Sequence, residues 1–245
     1  MIKNKMSFED ASAKALSHNL HPQGIGEYKE KVMHSILKNY YEDDLNKQEI
    51  KIDRFYCDIL NENGIIEIQT ANFNMLREKL KVFLESYDVT IVYPLVHNKF
   101  INWANSNDDY MRKSPRHDSI FKASRELYKI KMFLNNPKLH FMFVFCDMIE
   151  LKNLDGWNKT KKKGASSIVK IPNRIEKEVY LHHIDEMKEY INNNGSEFSA
   201  SEFAKMNKVS LRIAQLTLNI LKHVNAVSVE RIEKRKYIYK INHSD

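Results

Sequence analysis

Residues 56–70 read YCDILNENGIIEIQT. Two short runs rich in β-branched and aromatic side chains flank NENG, a good hairpin turn, so the stretch is expected to form two paired strands. Asp58 and Glu67 then sit inside strands, where a desolvated carboxylate is costly without a cation or hydrogen bonds. Alternation puts Ile65, Glu67 and Gln69 on one face and Ile66, Ile68 and Thr70 on the other, while Tyr56 and Asp58 share a face of the preceding strand. The sequence does not fix the register that would bring the two acids together. If they meet, they repel unless a cation lies between them, and oxygen-ligated Mg²⁺ (or Mn²⁺) fits that need. A solvent-facing hairpin is the plainer alternative.

The surrounding elements are legible. GEYKEKVMHSILKNYY spaces Val32, Met33, Ile36, Leu37 and Tyr40 as an amphipathic helix. After the hairpin, NFNMLREKLKVFLESY reads as a second helix covering Met75, Leu76, Leu80, Phe83 and Leu84, with Lys79 at its polar margin. DVTIVYPLV follows as a buried strand. FKASRELYKIKMFLNN and LHFMFVFCDMIEL repeat the helix-to-strand passage. Between the two passages, residues 102–119 are polar and read as a surface loop.

This order and these residues resemble the PD-(D/E)XK superfamily of restriction-endonuclease-like nucleases. Its signature is an Asp on one strand followed by an acid, any residue and a Lys on the next; Asp58, Glu67, Ile68 and Gln69 stand in those places. The resemblance implies an α/β fold, a restriction-endonuclease-like mixed sheet flanked by helices. Its core of helix, three strands, helix and strand would run from about Gly24 to Leu95. QEIKI would supply the first strand, with a bend near Asp53 and Arg54. It further implies Asp58 and Glu67 as metal ligands for Mg²⁺ or Mn²⁺, Glu27 on the first helix as an assisting acid, and Gln69 as the group that positions water or phosphate. Glutamine stands where the family usually has lysine, so it brings hydrogen bonds without a charge. Arg77 and Lys81 on the following helix are candidates to replace that charge. The alternative is a fold that binds DNA without cutting it.

Downstream of residue 178 the pattern changes. VYLHHIDEMKEYINNNG reads as a helix, SASEFAKMN as a short helix capped by Ser199 or Ser201, and SLRIAQLTLNILKHVN as a longer one. AVSVERI and YIYKI then alternate as a terminal hairpin around EKRK. Three helices and a basic hairpin resemble a small C-terminal winged helix-turn-helix domain. That resemblance implies DNA contact through Arg212, Gln215 and Asn219 on the third helix and Lys234, Arg235 and Lys236 on the wing. Protein-protein modules of the same shape are the alternative. The expected division is a nuclease-like domain over 1–170 and a winged-helix domain over 171–245. Asn153–Ser167, with its lysine run, is read as an exposed loop, and Pro172 marks an extended linker.

Charge agrees with that division. Residues 199–245 hold nine Lys/Arg against four Asp/Glu, which is +5 of the chain's formal +7. A basic terminal module suits a polyanion. Cys57 and Cys146 lie in apolar strands far apart, without metal-ligand spacing, and are expected as buried thiols of a reducing, cytoplasmic compartment. His182 and His183 are adjacent and make a poor metal pair; His97, His117 and His140 stand alone. Lys113 and Arg116 in KSPRH are further phosphate-contact candidates, and Met75, Met132 and Met142 are read as core fillers. No apolar run is long enough to cross a bilayer. The expected partner is DNA and not a membrane; a homodimer is left open.

Overall fold

The computed structural model describes residues 6–18, 25–103, 111–115, 117–153, 166–193 and 195–242. The chain opens with α1 (Phe8–His18) and α2 (Ile25–Tyr41), then a short 3-10 turn (Leu45–Lys47). Three strands follow in quick succession: β1 (Gln48–Ile52), β2 (Phe55–Asn61) and β3 (Gly64–Ile68). A 3-10 turn (Phe73–Leu76) leads into α3 (Arg77–Ser86) and the long strand β4 (Val89–Trp103), followed by β5 (Arg112–Ser114). A helical stretch centred on α4 (Ser124–Leu127) precedes β6 (Leu139–Asn153) and β7 (Ser166–Leu181). The C-terminal part holds β8 (Phe198–Ser199), α5 (Ala200–Met206), α6 (Leu211–His223), β9 (Val227–Glu233) and β10 (Lys236–Ile241).

The protein is a mixed α/β structure. Its larger sheet has seven strands in the order β1-β2-β3-β4-β6-β7, with β5 paired to β4, and its smaller sheet runs β8-β10-β9. β1 and β2 are antiparallel, whereas β3 and β4 are parallel, with Glu67 level with Ile91. By packing the chain divides into two units. One comprises Met1–Asn63, Pro94–Asp118 and Phe143–Val179; the other comprises Gly64–Tyr93, Ser119–Met142 and Tyr180–Asp245.

In the first unit, α2 buries Val32, Met33, Ile36 and Leu37 as its spacing predicts, while Tyr41 takes the fully buried place expected of Tyr40, which is only half-buried. Phe8 and Ala15 of α1 pack on Val32 and Ile36, with Tyr40 and Ile175 at the margin. Each such fully buried large side chain stabilises by roughly 1.5–3 kcal/mol. The expected bend at Asp53 and Arg54 is a tight turn: Ile52 pairs with Phe55, and Asp53 takes φ +53°. Polar groups buried beside the sheet find partners, since the Gln48 amide donates to Asn39 Oδ1 (3.3 Å) and the Glu42 carbonyl (2.7 Å). Cys57 and Cys146 are buried and unbridged. Burial, with the Glu178 charge second, pushes the Cys146 thiol up to about 12.

In the second unit, Gly64 is required at the head of β3. Its φ is +91°, and a Cβ there would meet the Asp88 carbonyl oxygen at 2.4 Å. The close approach lets Ile65 N–H donate to that same carbonyl at 2.9 Å. α3 buries Leu80, Phe83 and Leu84 as its spacing predicts, but Met75, in the preceding 3-10 turn that buries Phe73 and Leu76, is 72% exposed. Met132 is also exposed and only Met142 fills the core, which corrects the reading of all three as core fillers.

The stretch 120–133, expected as one helix, breaks into short 3-10 and α pieces with a non-helical Ile130. Arg77 Nε donates to the Lys129 carbonyl at 2.6 Å, and Glu126 Oε2 accepts from Phe73 N–H at 3.0 Å. The first of these takes a backbone carbonyl that a continuous α-helix would use. The expected helix over 179–195 is likewise replaced. β7 runs to Leu181 through Pro172, and residues Ile184–Tyr190 form a 3-10 helix whose Glu186 caps the His183 amide. The α5, α6 and terminal hairpin elements form where expected. Ser199 caps α5 in a reciprocal box with Glu202, and Ser210 caps α6.

Candidate active site and nucleic-acid interface

Asp58 belongs to the first unit and is 8% exposed. His34, on the face of α2 that meets β2, places Nε2 at 3.1 Å from Asp58 Oδ2. Burial draws the imidazolium down, but the hydrogen bond to Asp58 and its charge outweigh this, so the His34 pKa is raised above its ordinary value. This histidine was not among the sequence candidates. A signal existed: it lies seven residues, two helical turns, after Glu27, on the same face of α2. Glu27 itself falls within α2, but its side chain lies outside the described residues.

Glu67 belongs to the second unit and is 1% exposed, so the solvent-facing alternative for this strand is excluded. Lys79 of α3 meets it with Nζ at 2.9 Å from Oε2 and 3.2 Å from Oε1. The Lys79 side chain is 25% exposed and that of Glu67 2%, so the acid is the buried member of the pair. The two charge donors chosen from sequence are engaged elsewhere. Arg77 holds the Lys129 carbonyl, and Lys81 pairs with Glu78 at 2.6 Å on the exposed side of α3. Gln69 lies just past the end of β3. Its backbone amide donates to the Val92 carbonyl at 2.9 Å and its side-chain amide to the carbonyl of Ala71.

Neither Asp58 nor Glu67 joins a group of three metal-ligating side chains among the described residues. Such a group does occur in the first unit, where ligand atoms of His97, Asp147 and Glu176 lie within 4.8 Å of one another. It is already satisfied as a hydrogen-bonded cluster. Asp147 Oδ1 accepts from His97 Nδ1 (3.1 Å), Asn98 N–H (3.0 Å) and Asn98 Nδ2 (2.8 Å), and Arg174 lies against both acids. Burial raises the Asp147 carboxyl, but these hydrogen bonds win and hold it below its ordinary value.

The basic module presents its expected face. Arg212, Gln215 and Asn219 are exposed along α6, whose other side buries Ile213, Ala214, Thr217, Leu218 and Leu221. Lys234, Arg235 and Lys236 are exposed at the β9–β10 turn, where Lys234 and Arg235 adopt positive φ. One participant escaped the sequence reading. Lys131, far away in sequence, donates to Asn219 Oδ1 at 2.8 Å and adds a cation beside α6. Thr217 meets Ser124 of α4 at 2.8 Å inside the unit, so α6 is fixed from behind. Lys113 lies exposed on β5, paired with Phe100, and Arg116 lies outside the described residues, as does most of the lysine-rich loop. No helix among the described residues is long and apolar enough to cross a membrane.

Comparison with known proteins gives a family without giving an activity. A protein of Treponema pallidum (strain Nichols), described as uncharacterized, is 29% identical over 143 residues, covering 56% of this chain and 57% of that protein. The match thus spans little more than half the relative's length. No solved structure matches the chain. A family model described as a domain of unknown function matches residues 31–182, which takes in both acids and their cation partners and stops before α5, α6 and the terminal hairpin. The chain therefore belongs to the family of that domain, DUF8091.

Proposed function

We propose that this protein is a metal-dependent DNA endonuclease that uses the Glu67 carboxylate with the Lys79 ammonium, and that α6 and the β9–β10 hairpin hold the DNA. The observation that carries this reading is Lys79 Nζ against both oxygens of Glu67. Position 69 offers glutamine without charge, and the next helix supplies the missing cation at the acid itself. Glu67 would hold the ion in the second unit; the ligand role of Asp58 and the assisting role of Glu27 rest on the nuclease resemblance alone. Carboxylate oxygens are the hard donors that Mg²⁺ or Mn²⁺ requires, so this donor set fits the ion. Once bound, the ion polarises a phosphoryl oxygen and stabilises the departing alkoxide.

The protein's own groups act around that chemistry. Lys79 places positive charge where the phosphoryl oxygens gain negative charge in the transition state. Gln69, anchored through its amide on the Ala71 carbonyl, has its side-chain oxygen to orient a water. Arg212, Gln215, Asn219, Lys234, Arg235 and Lys236 bind the duplex, mostly through its phosphates. The test is plasmid cleavage in Mg²⁺ or Mn²⁺. Lys79→Met should slow cleavage by about 10²–10³-fold, as removal of one transition-state donor does. Cleavage that survives Glu67→Ala and Asp58→Ala would place the chemistry elsewhere.

A second reading is favoured by two contacts. His34 sets an imidazole, cationic when protonated, against Asp58, and Lys79 already holds both oxygens of Glu67, as suits a DNA-binding regulator that keeps the fold without cutting. Titration calorimetry separates the two: Mg²⁺ or Mn²⁺ uptake that disappears in Glu67→Ala excludes the regulator.

A further inference from the structure

The second unit holds a groove of about 340 Å³ between α6 and the terminal hairpin. Ser199, Gln215, Arg235, Lys236, Tyr237 and Tyr239 are among its walls. That volume is at the low end for ligand sites, enough for one nucleotide and far too small for a helix or a duplex. Its chemistry is sorted by wall. Arg235 and Lys236, beside the tight turn, supply exposed cations. Tyr237 is 54% exposed. Tyr239 braces it edge-on, with ring centroids 6.3 Å apart, and Phe198 in turn stacks against Tyr239 at 6.5 Å. Gln215 brings an amide that can donate and accept. The neighbouring acid, Glu202, accepts from the amide and hydroxyl of Ser199, which hold it ionised, so its single charge partly offsets the two cations Arg235 and Lys236.

An aromatic ring in a cationic groove gains nothing from a base inside a duplex, because both faces of that base are already stacked. It gains from an unpaired base, whose π-face is open. We infer that this groove seats one unpaired nucleotide, its base against Tyr237 and its phosphate on Arg235 and Lys236. The favoured DNA then carries a single-stranded end or gap. This inference rests on the DNA-binding reading of α6 and the hairpin, and is independent of whether the chain cuts.

Fluorescence anisotropy on the full chain tests it with a blunt duplex, the same duplex with a three-nucleotide overhang, and oligothymidine. The overhang should bind about 5- to 100-fold tighter than the blunt duplex, the range of one aromatic–base stack. Tyr237→Ala should abolish that preference while leaving blunt-duplex affinity unchanged, and Tyr237→Phe should retain it. Equal wild-type affinity for the two duplexes, or a preference that survives Tyr237→Ala, overturns the inference and leaves the DNA-binding reading standing. Failure to bind any of the three probes overturns both. Because Tyr237 is half exposed, the alanine variant is expected to fold, which its thermal melt checks.

Discussion

Asp58 and Glu67 come from one hairpin of the sequence, yet they are neutralised in different ways. Asp58 meets an imidazole that is 31% exposed. Glu67, more deeply buried, meets an ammonium. An imidazole changes charge near neutral pH, so the first pair is a titratable contact in that range. A buried carboxylate that lost its cation would bear the full desolvation cost, whereas a shallower one recovers part of it from water.

The hardest way to break this contrast is Lys79→Met. Removing the ammonium from the buried Glu67 carboxylate should cost about 3–5 kcal/mol in denaturant unfolding, the range for breaking a buried pair by removing one member. Adding Glu67→Gln should restore most of that loss. A single-variant cost under about 1 kcal/mol would mean that water reaches Glu67 and that the pair is not desolvated.

His34→Gln should cost less, about 1–3 kcal/mol, and most where His34 is protonated, because the neutral imidazole can still donate through Nε2. The sign follows from the raised His34 pKa. A folded value above the ordinary 6.5 means that the folded state holds this proton more tightly. The stabilisation is then full below pH 6.5 and is lost as pH rises through the folded value. The stability difference between wild type and His34→Gln should therefore shrink on raising pH from 6 to 9. A difference that stays constant over that range would show that the histidine acts through packing alone. A ¹H–¹⁵N titration of the imidazole gives the same answer directly, since its midpoint should lie above 6.5.

These two partners also mark where sequence reasoning stopped. Strand and helix positions around the hairpin were readable because alternation, NENG and the three-and-four spacing all agree, and Ser199, one of the two caps expected for α5, announced its helix, whereas the Ser210 cap of α6 was not read. The partner of Glu67 was not readable. Arg77, Lys79 and Lys81 lie within one helical turn and a little more, and only the rotation of α3 on β3 decides which reaches the acid. Lys79 sits next to the buried Leu80, at the margin of the covered stripe, and from there it alone combines reach with a solvated head. Lys131 was hidden for a different reason. The segment 121–136 looks like one helix, but Ile130 is non-helical, and the neighbouring Lys129 carbonyl accepts from Arg77, about fifty positions earlier.

The smallest effect tests that last residue, and it carries the contrast between cations to the surface. Lys79 faces an acid and is tied into the interior; Lys131 faces the neutral amide of Asn219 at 2.8 Å, beside the ring of Tyr128. Breaking an exposed lysine–amide contact changes stability by a few tenths of a kcal/mol at most, so Lys131→Ala should melt with the wild type. If α6 lies against DNA, the same ammonium stands where a phosphate passes, and its removal should lower the salt dependence of duplex binding by about one counterion. The slope of log K against log salt should then flatten by about 0.9, with nearly equal losses for unrelated sequences, because a phosphate contact carries no base information. Arg212→Ala provides the counter-case on the same helix. A loss that depends on the duplex sequence would place Arg212 on a base edge, with Lys131 marking the rim of the interface. An unchanged slope in Lys131→Ala would instead confine the DNA-contact face to the N-terminal half of α6 and the wing.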